Sequence, residues 1–432
     1  MARSRRGAWV CAESPAFLPD PTSRQDSFVR RAIWLVALSL ILGSCVRQTT
    51  PRLWTIEPGA CALDTARTDA VACGIVDIDS GHISPHSAHW LELLLPGQPS
   101  RIAERIGAAA HDQTWQGRLM DDPYSSVTFS LVGSVVAGLI TTSAGPIFRL
   151  RPYDGKIAIV EQLDPKALGE LGYVDDASNV AGCASQEKQP TKLACPIDSE
   201  DSEEIHVMVL FTPLAKSWAG GTEEIFAWIS LAENRTNQSF AQSGVRHRIK
   251  VVRRELVQYE ESMLETETDL GRLIAGSDGL EDVHALRDNN HADLTILVVS
   301  NERSPGKACE LGKSQLKSTT FAAASYGVVA IQWLAFNDIF THELGHIMGA
   351  GHPEKQSGGA SGYGRGYSAT ANKLCPAWRS IMDRMGSGDA APILYWSNMN
   401  TRGCAGQSMG IADYADNART LNLTACTVAS FR

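Results

Sequence analysis

The sequence predicts a β-rich domain in the first half of the chain and an α/β domain in the second half. Short runs of β-branched residues alternate with Gly and Pro from about 88 to 165. A polar stretch follows from 175 to 204, and beyond it strand-like apolar runs alternate with segments of helical periodicity. The predicted domains are a leader at 1–45, a β-rich region with its polar linker at 46–200, and an α/β domain at 201–432.

The leader combines a positive pair, a short apolar run and small residues before a cysteine, as secretory signals do. Arg30-Arg31 precede the apolar run 32–42, which is too short to cross a membrane as a permanent helix. Leu42-Gly43-Ser44-Cys45 resembles the bacterial lipoprotein signal, in which Cys45 becomes the lipidated first residue of the mature chain. We therefore expect an exported lipoprotein of the bacterial cell envelope, at the outer membrane or surface. The alternative is a secreted protein whose ordinary signal is cut near the same place.

Residues 1–28 do not fit the positive start of a signal, because the segment is long and contains Glu13, Asp20 and Asp26. We expect translation to begin near Val29. The amino-terminal mass of the precursor tests this expectation.

Regular elements can be assigned in both predicted domains. In the β-rich region the clearest predicted strands are 126–131, 135–140 and 157–161. The predicted elements of the α/β domain, in chain order, are strand 205–211, helix 221–242, strand 248–257, a helix at 269–289 broken near 276–279, strand 294–299, an edge strand at 321–331 beside a cleft, and a closing helix at 412–423.

Three histidines, a glutamate and a glycine form the pattern H-E-x-x-H-x-x-G-x-x-H between positions 342 and 352. On a helix, residues four apart lie on one face, so His342 and His346 can bind one metal ion. Glu343 projects beside that metal, where it can polarise a water molecule. His352 reaches the same ion only if the helix ends first, and Gly349 permits that end because glycine adopts left-handed conformations without steric cost.

The full pattern is far more specific than its first five residues. With 11 His and 37 Gly in 432 residues, requiring the glycine and the third histidine reduces chance matches about 500-fold. Residues 333–341 are mostly apolar with helical spacing, which predicts that the helix begins several residues before the motif.

The motif resembles that of the metzincin zinc endopeptidases, which add a methionine in a tight turn beneath the metal. Met382, in Ser380-Ile381-Met382-Asp383, is the predicted turn methionine, and Met385 is the alternative. The segments 395–398 and 416–419, with Gly403 and Gly410, resemble the tail of reprolysin-like bacterial members. The resemblance extends over roughly 200–432.

Two positions depart from branches of that family. Arg384 stands where the astacin-like and serralysin-like branches place a tyrosine ligand, so no such ligand is expected. Pro353 follows the third histidine, as in serralysins, whereas reprolysins usually have aspartate there.

The resemblance implies a catalytic domain with a twisted, mostly parallel sheet and helices, then the zinc helix, then an irregular C-terminal subdomain across a cleft. It implies one zinc ion held by His342, His346 and His352, with Gly349 and Met382 as structural support. The expected activity is hydrolysis of peptide bonds in proteins or peptides by metal-activated water, with Glu343 as general base.

The number of cysteines agrees with export to an oxidising compartment. Ten are present, and Cys11 and Cys45 fall in the leader, which leaves eight for an oxidising compartment. Proximity predicts the pairs Cys61–Cys73 and Cys183–Cys195. Pairing Cys309 with Cys426 would resemble a reprolysin bond, and Cys375 would then pair with Cys404. A cysteine zinc finger is excluded because the sequence has no C-x-x-C pair.

The composition of the chain limits the kinds of partner that we expect it to bind. The net charge of −9 and the pI near 5.7 argue against nucleic acid as a partner, so none is expected. Membrane contact is expected only through a lipid at Cys45.

Alternatives remain open for the first domain and for the activity. Residues 46–200 are either a propeptide removed from a zymogen or a permanent accessory domain. In the propeptide interpretation, a free Cys183 or Cys195 could cap the zinc. The alternatives to an endopeptidase are a non-catalytic envelope lipoprotein with a vestigial metal site, and a zinc amidase acting on cell-wall peptides.

Overall fold

The computed structural model contains two main sheets that pack against the same long helix. It describes residues 50–57, 69–84, 87–106, 113–143, 145–163, 180, 182–183, 204–262, 265–313, 319–334, 336–353, 359–383 and 390–432. The described residues from Arg52 onward form one compact unit. The predicted leader with Cys45 lies outside the described residues, as do Cys61, Cys195, Arg384 and Met385.

The first sheet is a nine-stranded antiparallel sheet in the order β1-β2-β9-β8-β7-β6-β5-β4-β3. Its strands are β1 (Trp54–Glu57), β2 (Ala70–Ile78), β3 (Trp90–Leu93), β4 (Arg101–Arg105), β5 (Thr114–Leu119), β6 (Asp122–Val132), β7 (Val135–Thr141), β8 (Ile147–Asp154) and β9 (Ile157–Leu163). A bridge between Arg52 and Glu92 brings the two edges of the sheet together. Three of these strands contain the predicted ones, so the prediction of a β-rich region is confirmed.

The second sheet has five strands in the order β11-β10-β12-β14-β13, and only β13 is antiparallel to its neighbour. Its strands are β10 (Glu204–Phe211), β11 (Arg248–Leu256), β12 (Leu294–Val299), β13 (Gly306–Ala308) and β14 (Tyr326–Ala330). All six residues of β12 are buried, because a central parallel strand is covered on both faces. The predicted mixed domain with a mostly parallel sheet is therefore confirmed.

Helices connect the strands of the second sheet and extend beyond it. The described α-helices are α1 (Pro213–Ala219), α2 (Thr222–Gln242), α3 (Thr266–Ala275), α4 (Val283–Asn289), α5 (Ile331–Leu334), α6 (Ile339–Ile347) and α7 (Asn417–Val428). Short 3₁₀ helices occupy Ser80–His82, Thr319–Ala324 and Cys404–Gly406. Among the described residues, no helix has both the length and the apolar character needed to cross a membrane.

Helix α2 joins the two sheets. Its apolar side, which includes Trp228 and Phe240, lies in the core shared with the five-stranded sheet. Its polar side bonds to the nine-stranded sheet. The Nδ2 atom of Asn234 donates to Oγ1 of Thr114 in β5 (2.7 Å), and Oγ1 of Thr128 in β6 donates to Oε1 of Gln238 (2.6 Å). These buried hydrogen bonds link α2 to the nine-stranded sheet, so both sheets and α2 belong to one compact unit.

The edge of the five-stranded sheet differs from the prediction. Residues 321–331 are not the edge strand, because Thr319–Ala324 is a 3₁₀ helix and β14 lies between β12 and β13. The edge is β13, which is only three residues long. A strand this short shows too few positions for an alternating pattern to appear in sequence.

Two helix starts also differ from the prediction. The closing helix α7 begins at Asn417 because the side chain of Asp416 accepts from the backbone N–H of Arg419 (3.0 Å) and caps it. Helix α6 begins at Ile339, and α5 is a separate turn before it. Asp338 separates them with φ of +60°, a left-handed conformation that a continuous helix cannot contain.

The chain between α6 and α7 is largely irregular, as predicted. Its short strands are β15 (Ser368–Ala369), β16 (Trp378–Arg379), β17 (Ala391–Pro392), β18 (Asn398–Arg402) and β19 (Ser408–Met409). The predicted disulfide between Cys375 and Cys404 is confirmed, with a Cα–Cα distance of 5.8 Å. This bond joins the two halves of the irregular segment.

Candidate metal centre

The three motif histidines converge at the end of α6. His342 and His346 are buried on one face of the helix, and their Nε2 atoms are 3.2 Å apart. His352, beyond the helix end, places its Nε2 3.1 Å from Nε2 of His342. The ligand atoms of all three lie within 4.8 Å of one another.

This spacing fits a single metal ion. Two nitrogens bound to one tetrahedral zinc at the usual Zn–N distance lie about 3.3 Å apart. The backbone carbonyl of Ile381 lies 2.9 Å from Nδ1 of His342. A carbonyl only accepts, so Nδ1 carries the proton and Nε2 presents its lone pair to the site. The donor set is therefore the one that a catalytic zinc ion prefers.

Gly349 ends the helix in the predicted way. Its φ is +88°, and the backbone N–H of Ala350 donates back to the carbonyl of Gly345 (2.8 Å), which closes the helix with a reversed turn. A Cβ atom at position 349 would lie 2.6 Å from Cβ of Ala360. Glycine is required here both for the left-handed conformation and for the close packing, and the turn directs the chain back to His352.

The predicted turn methionine lies directly beneath the helix. Met382 is fully buried, and a Cβ atom on Gly345 would lie 3.0 Å from its sulfur and 2.6 Å from the ring of Trp396. Gly345 therefore allows this turn and the Trp396 ring to approach the helix between His342 and His346. Sequence analysis did not single out Gly345 or the contact with Trp396.

The side chain of Glu343 lies next to the edge strand β13. It is fully buried, and a Cβ atom on Gly306 of β13 would lie 2.8 Å from its Oε1 atom. The backbone N–H of Leu311 donates to the carbonyl of His346 (3.0 Å), so the chain leaving β13 continues along the end of α6. The carboxylate thus lies against the edge strand of the sheet.

Comparison with known proteins identifies the family. The model of Metallo-peptidase family M12, Reprolysin_5, matches residues 202–397. A peptidyl-Asp metalloendopeptidase of Stenotrophomonas maltophilia is 31% identical over 353 residues, which cover 78% of this chain and 76% of that protein. The chain belongs to metallo-peptidase family M12.

It is a metalloendopeptidase, as the sequence predicted. A second relative, a peptidyl-Asp metalloendopeptidase of Xanthomonas campestris pv. campestris, is 29% identical over 93% of this chain and 97% of its own length. Metalloproteinase-II from Bacteroides fragilis, a solved structure, aligns with a TM-score of 0.35 and 12% identity over 62% of this chain and 82% of that chain. That structural likeness is too low to support an argument.

The start of α6 in this metalloendopeptidase is attached to α2. Arg235 forms an ion pair with Asp338 in which Nη2 donates to Oδ2 at 2.9 Å and Nε donates to Oδ1. The hydroxyls of Thr236 and Thr341 are 2.8 Å apart. Sequence analysis missed this pair, because residues more than 100 positions apart give no local signal.

Asn417 of the metalloendopeptidase holds the segment just before His352. Its Oδ1 accepts from the N–H of Gly351 and its Nδ2 donates to the carbonyl of Gly351, both at 3.1 Å. The resemblance of the 416–419 segment to the family's tail was a signal for this residue, but not for its role.

The disulfide pairing predicted near the site is wrong. Cys309 is bonded to Cys183, with a Cα–Cα distance of 5.1 Å, so the pairs Cys183–Cys195 and Cys309–Cys426 do not form. Proximity in sequence failed because Cys183 lies in space beside the end of β13, 126 residues further along the chain. Cys73 and Cys426 are also disulfide-bonded. Because Cys183 is not a thiol, it cannot cap the metal.

Proposed function

We propose that this metalloendopeptidase is a zinc enzyme that cleaves peptide bonds next to aspartate, with the metzincin arrangement of its site. The convergence of three Nε2 atoms at zinc-ligand spacing is the observation that supports the reaction, and Glu343 directly follows His342 in the same helix. The names of the relatives, peptidyl-Asp metalloendopeptidase, support the aspartate preference.

His342, His346 and His352 would hold the zinc ion. When bound, zinc polarises a substrate carbonyl and makes water more acidic. His342 is oriented by the carbonyl of Ile381, which fixes its tautomer. Glu343 takes a proton from the attacking water and later donates it to the leaving amine. Because its buried carboxylate lies beside β13, that proton transfer would occur next to the edge strand, along which an extended peptide can lie.

Cleavage of a peptide library tests the proposal. Libraries that carry Asp, Asn or Glu at one position are compared with and without a zinc chelator. We expect cleavage next to Asp, loss of activity with the chelator, and recovery with zinc. Glu343→Gln should keep the zinc while losing turnover by several orders of magnitude, because the proton acceptor is gone. Turnover by Glu343→Gln near the wild-type rate contradicts the role of Glu343, and cleavage without preference for Asp contradicts the substrate class.

We also propose that the chain is exported by its leader and attached to the cell envelope by a lipid on Cys45. The two disulfides among the described residues, Cys183–Cys309 and Cys375–Cys404, support an oxidising compartment. Mass measurement of the mature amino terminus tests this. A diacylated Cys45 supports a lipoprotein, whereas an unmodified amino terminus near position 45 indicates a secreted enzyme.

A further inference from the structure

Arg235 lies at the meeting point of three elements. It belongs to α2, its side chain is only 2% exposed, and it bonds to Asp338 at the start of α6. On the other side, its Nη1 atom is 3.1 Å from Oγ of Ser126 and 3.4 Å from Oγ1 of Thr128, both in β6. It also donates to the carbonyl of Leu139 in β7 (3.4 Å). The guanidinium is therefore held by the nine-stranded sheet and holds the metal-site helix.

Asp338 links this ion pair to the first turn of α6. The residue has a left-handed φ of +60°, it directly precedes the helix, and its side chain makes no cap of its own helix. Its carboxylate is instead bound by Arg235. An aspartate in this conformation costs about 1 kcal/mol, which the bidentate bond to an arginine can offset. The conformation of the turn that starts α6 thus depends on Arg235.

We propose that Arg235 is a positioning residue for the metal site. We also propose that the nine-stranded sheet supplies part of the pocket that holds the Arg235 guanidinium. This rests on the proposed function of the histidines as zinc ligands. Fixing Asp338 and Thr341 sets the origin and direction of α6, and His342 follows Thr341 directly. The β-rich domain is then part of the working enzyme, because Ser126, Thr128 and Leu139 hold the guanidinium in place.

The rate of zinc loss to a chelator tests this proposal. Arg235→Lys keeps the charge but loses the planar fork that binds Asp338. We expect zinc to leave about 10-fold faster, the lower end of the range for removal of an outer group that orients ligands. The variant Ser126→Ala changes no residue of α2 or α6 and removes one partner of the guanidinium, so it should act in the same direction with a smaller effect.

Arg254→Lys is the matched control. Arg254 of β11 also bonds to α2, through Ser230 (2.9 Å) and Glu233 (3.5 Å), but its bonds do not reach α6. This variant should lower the unfolding temperature while zinc leaves at the wild-type rate. If Arg235→Lys also loses stability without faster zinc loss, its role is only structural and the proposal is wrong. If the wild type binds no zinc, the proposed function fails instead.

A second inference rests on the disulfide between Cys183 and Cys309. Cys309 is fully buried directly after β13, and Val180 is buried in the same core. A Cβ atom on Gly182 would lie 2.6 Å from the side chain of Ile274 in α3. The end of the β-rich region is thus both packed on the catalytic region and bonded to it.

We infer that a cut in the polar linker after Cys183 leaves the β-rich domain covalently attached. Such a cut converts the enzyme into two disulfide-linked chains and does not release the catalytic region. The β-rich domain is then a retained part of the mature protein, in agreement with its contact to Arg235.

An engineered cut before Cys195 tests this inference. A recognition site for a specific protease is placed at 186–192, so that Cys183 is on one side of the cut and Cys195 on the other. Under denaturing, non-reducing conditions we expect one species of full mass, which separates into two on reduction. The same cut in the Cys183→Ser, Cys309→Ser variant should give two species without reduction. Separation of the cut wild type without reduction contradicts the inference, as does an active protease from the producing cell that lacks residues 52–163.

Discussion

The carboxylate of Glu343 lies against the backbone of Gly306, the first residue of the edge strand β13. The spacing leaves no room for a side chain on Gly306, since its Cβ would be 2.8 Å from Oε1 and 3.0 Å from Cγ of Glu343. The edge strand and the carboxylate of Glu343 therefore restrict each other's position.

Replacing this glycine should reduce catalysis without removing the metal. Gly306→Ala pushes the Glu343 carboxylate away from its position, and a misplacement of about 1 Å can cost about 100-fold in rate. We expect kcat to fall on that scale with zinc content unchanged. Gly271→Ala is the control, because a Cβ there meets nothing within 4 Å. A Gly306→Ala enzyme with wild-type kcat would show that the carboxylate does not depend on this contact.

Gly349→Ala should lose zinc. The new side chain is strained at φ +88° and would meet Ala360 at 2.6 Å, so the turn that leads to His352 cannot keep its path. Gly155→Ala provides the comparison: its φ is +54°, but a Cβ there meets nothing within 4 Å. Both variants should lose about 1–2 kcal/mol of stability from the left-handed conformation. Elemental analysis should find zinc depleted only in Gly349→Ala, and equal zinc in the two variants would refute this.

Asn417→Ala should weaken metal binding through Gly351. Without the side-chain amide, the N–H and carbonyl of Gly351 lose their bonds to α7, and His352 is less firmly placed. We expect about 10-fold weaker zinc affinity, measured by competition with a chelator. Asn422→Ala removes a similar amide from the same helix, where it bonds to Arg246 and Gly244. Unchanged zinc affinity in Asn417→Ala, or an equal loss in the control, would count against this role.

Asp293 should make stability depend on pH. Burial raises the pKa of this carboxyl to about 6, although it accepts from the N–H groups of His206 and Arg432. A pKa raised by folding gives stability that is present below the unfolded pKa near 3.8 and is lost as pH rises through 6. Asp293→Asn does not titrate, so its unfolding free energy minus that of the wild type should rise by up to about 3 kcal/mol between pH 4 and 7. Chemical denaturation at several pH values measures this difference, and a flat difference contradicts it.

The parts of the fold with strong local signals could be predicted from sequence. The motif placed His342, His346, Glu343, Gly349 and His352 in one site, because its spacing follows directly from helix geometry. Strands such as β10 and β12 were evident because buried parallel strands consist mostly of apolar residues.

The parts fixed by distant contacts could not be predicted. The edge strand was misplaced because its three residues are too few to show a pattern. The start of α6 was misplaced because it depends on Asp338, which is bound by Arg235, a residue far away in the sequence. The pairing of Cys183 with Cys309 depends on where the end of the β-rich region packs, which no local signal reports.

Helix α2 is covered by one sheet through its apolar residues and by the other through its polar ones. Because a sheet covers each side of α2, its amide hydrogens should be among the slowest of the described residues to exchange with deuterium. Opening of the β-rich region alone should first become visible as faster deuterium uptake at the amides of α2 around Arg235.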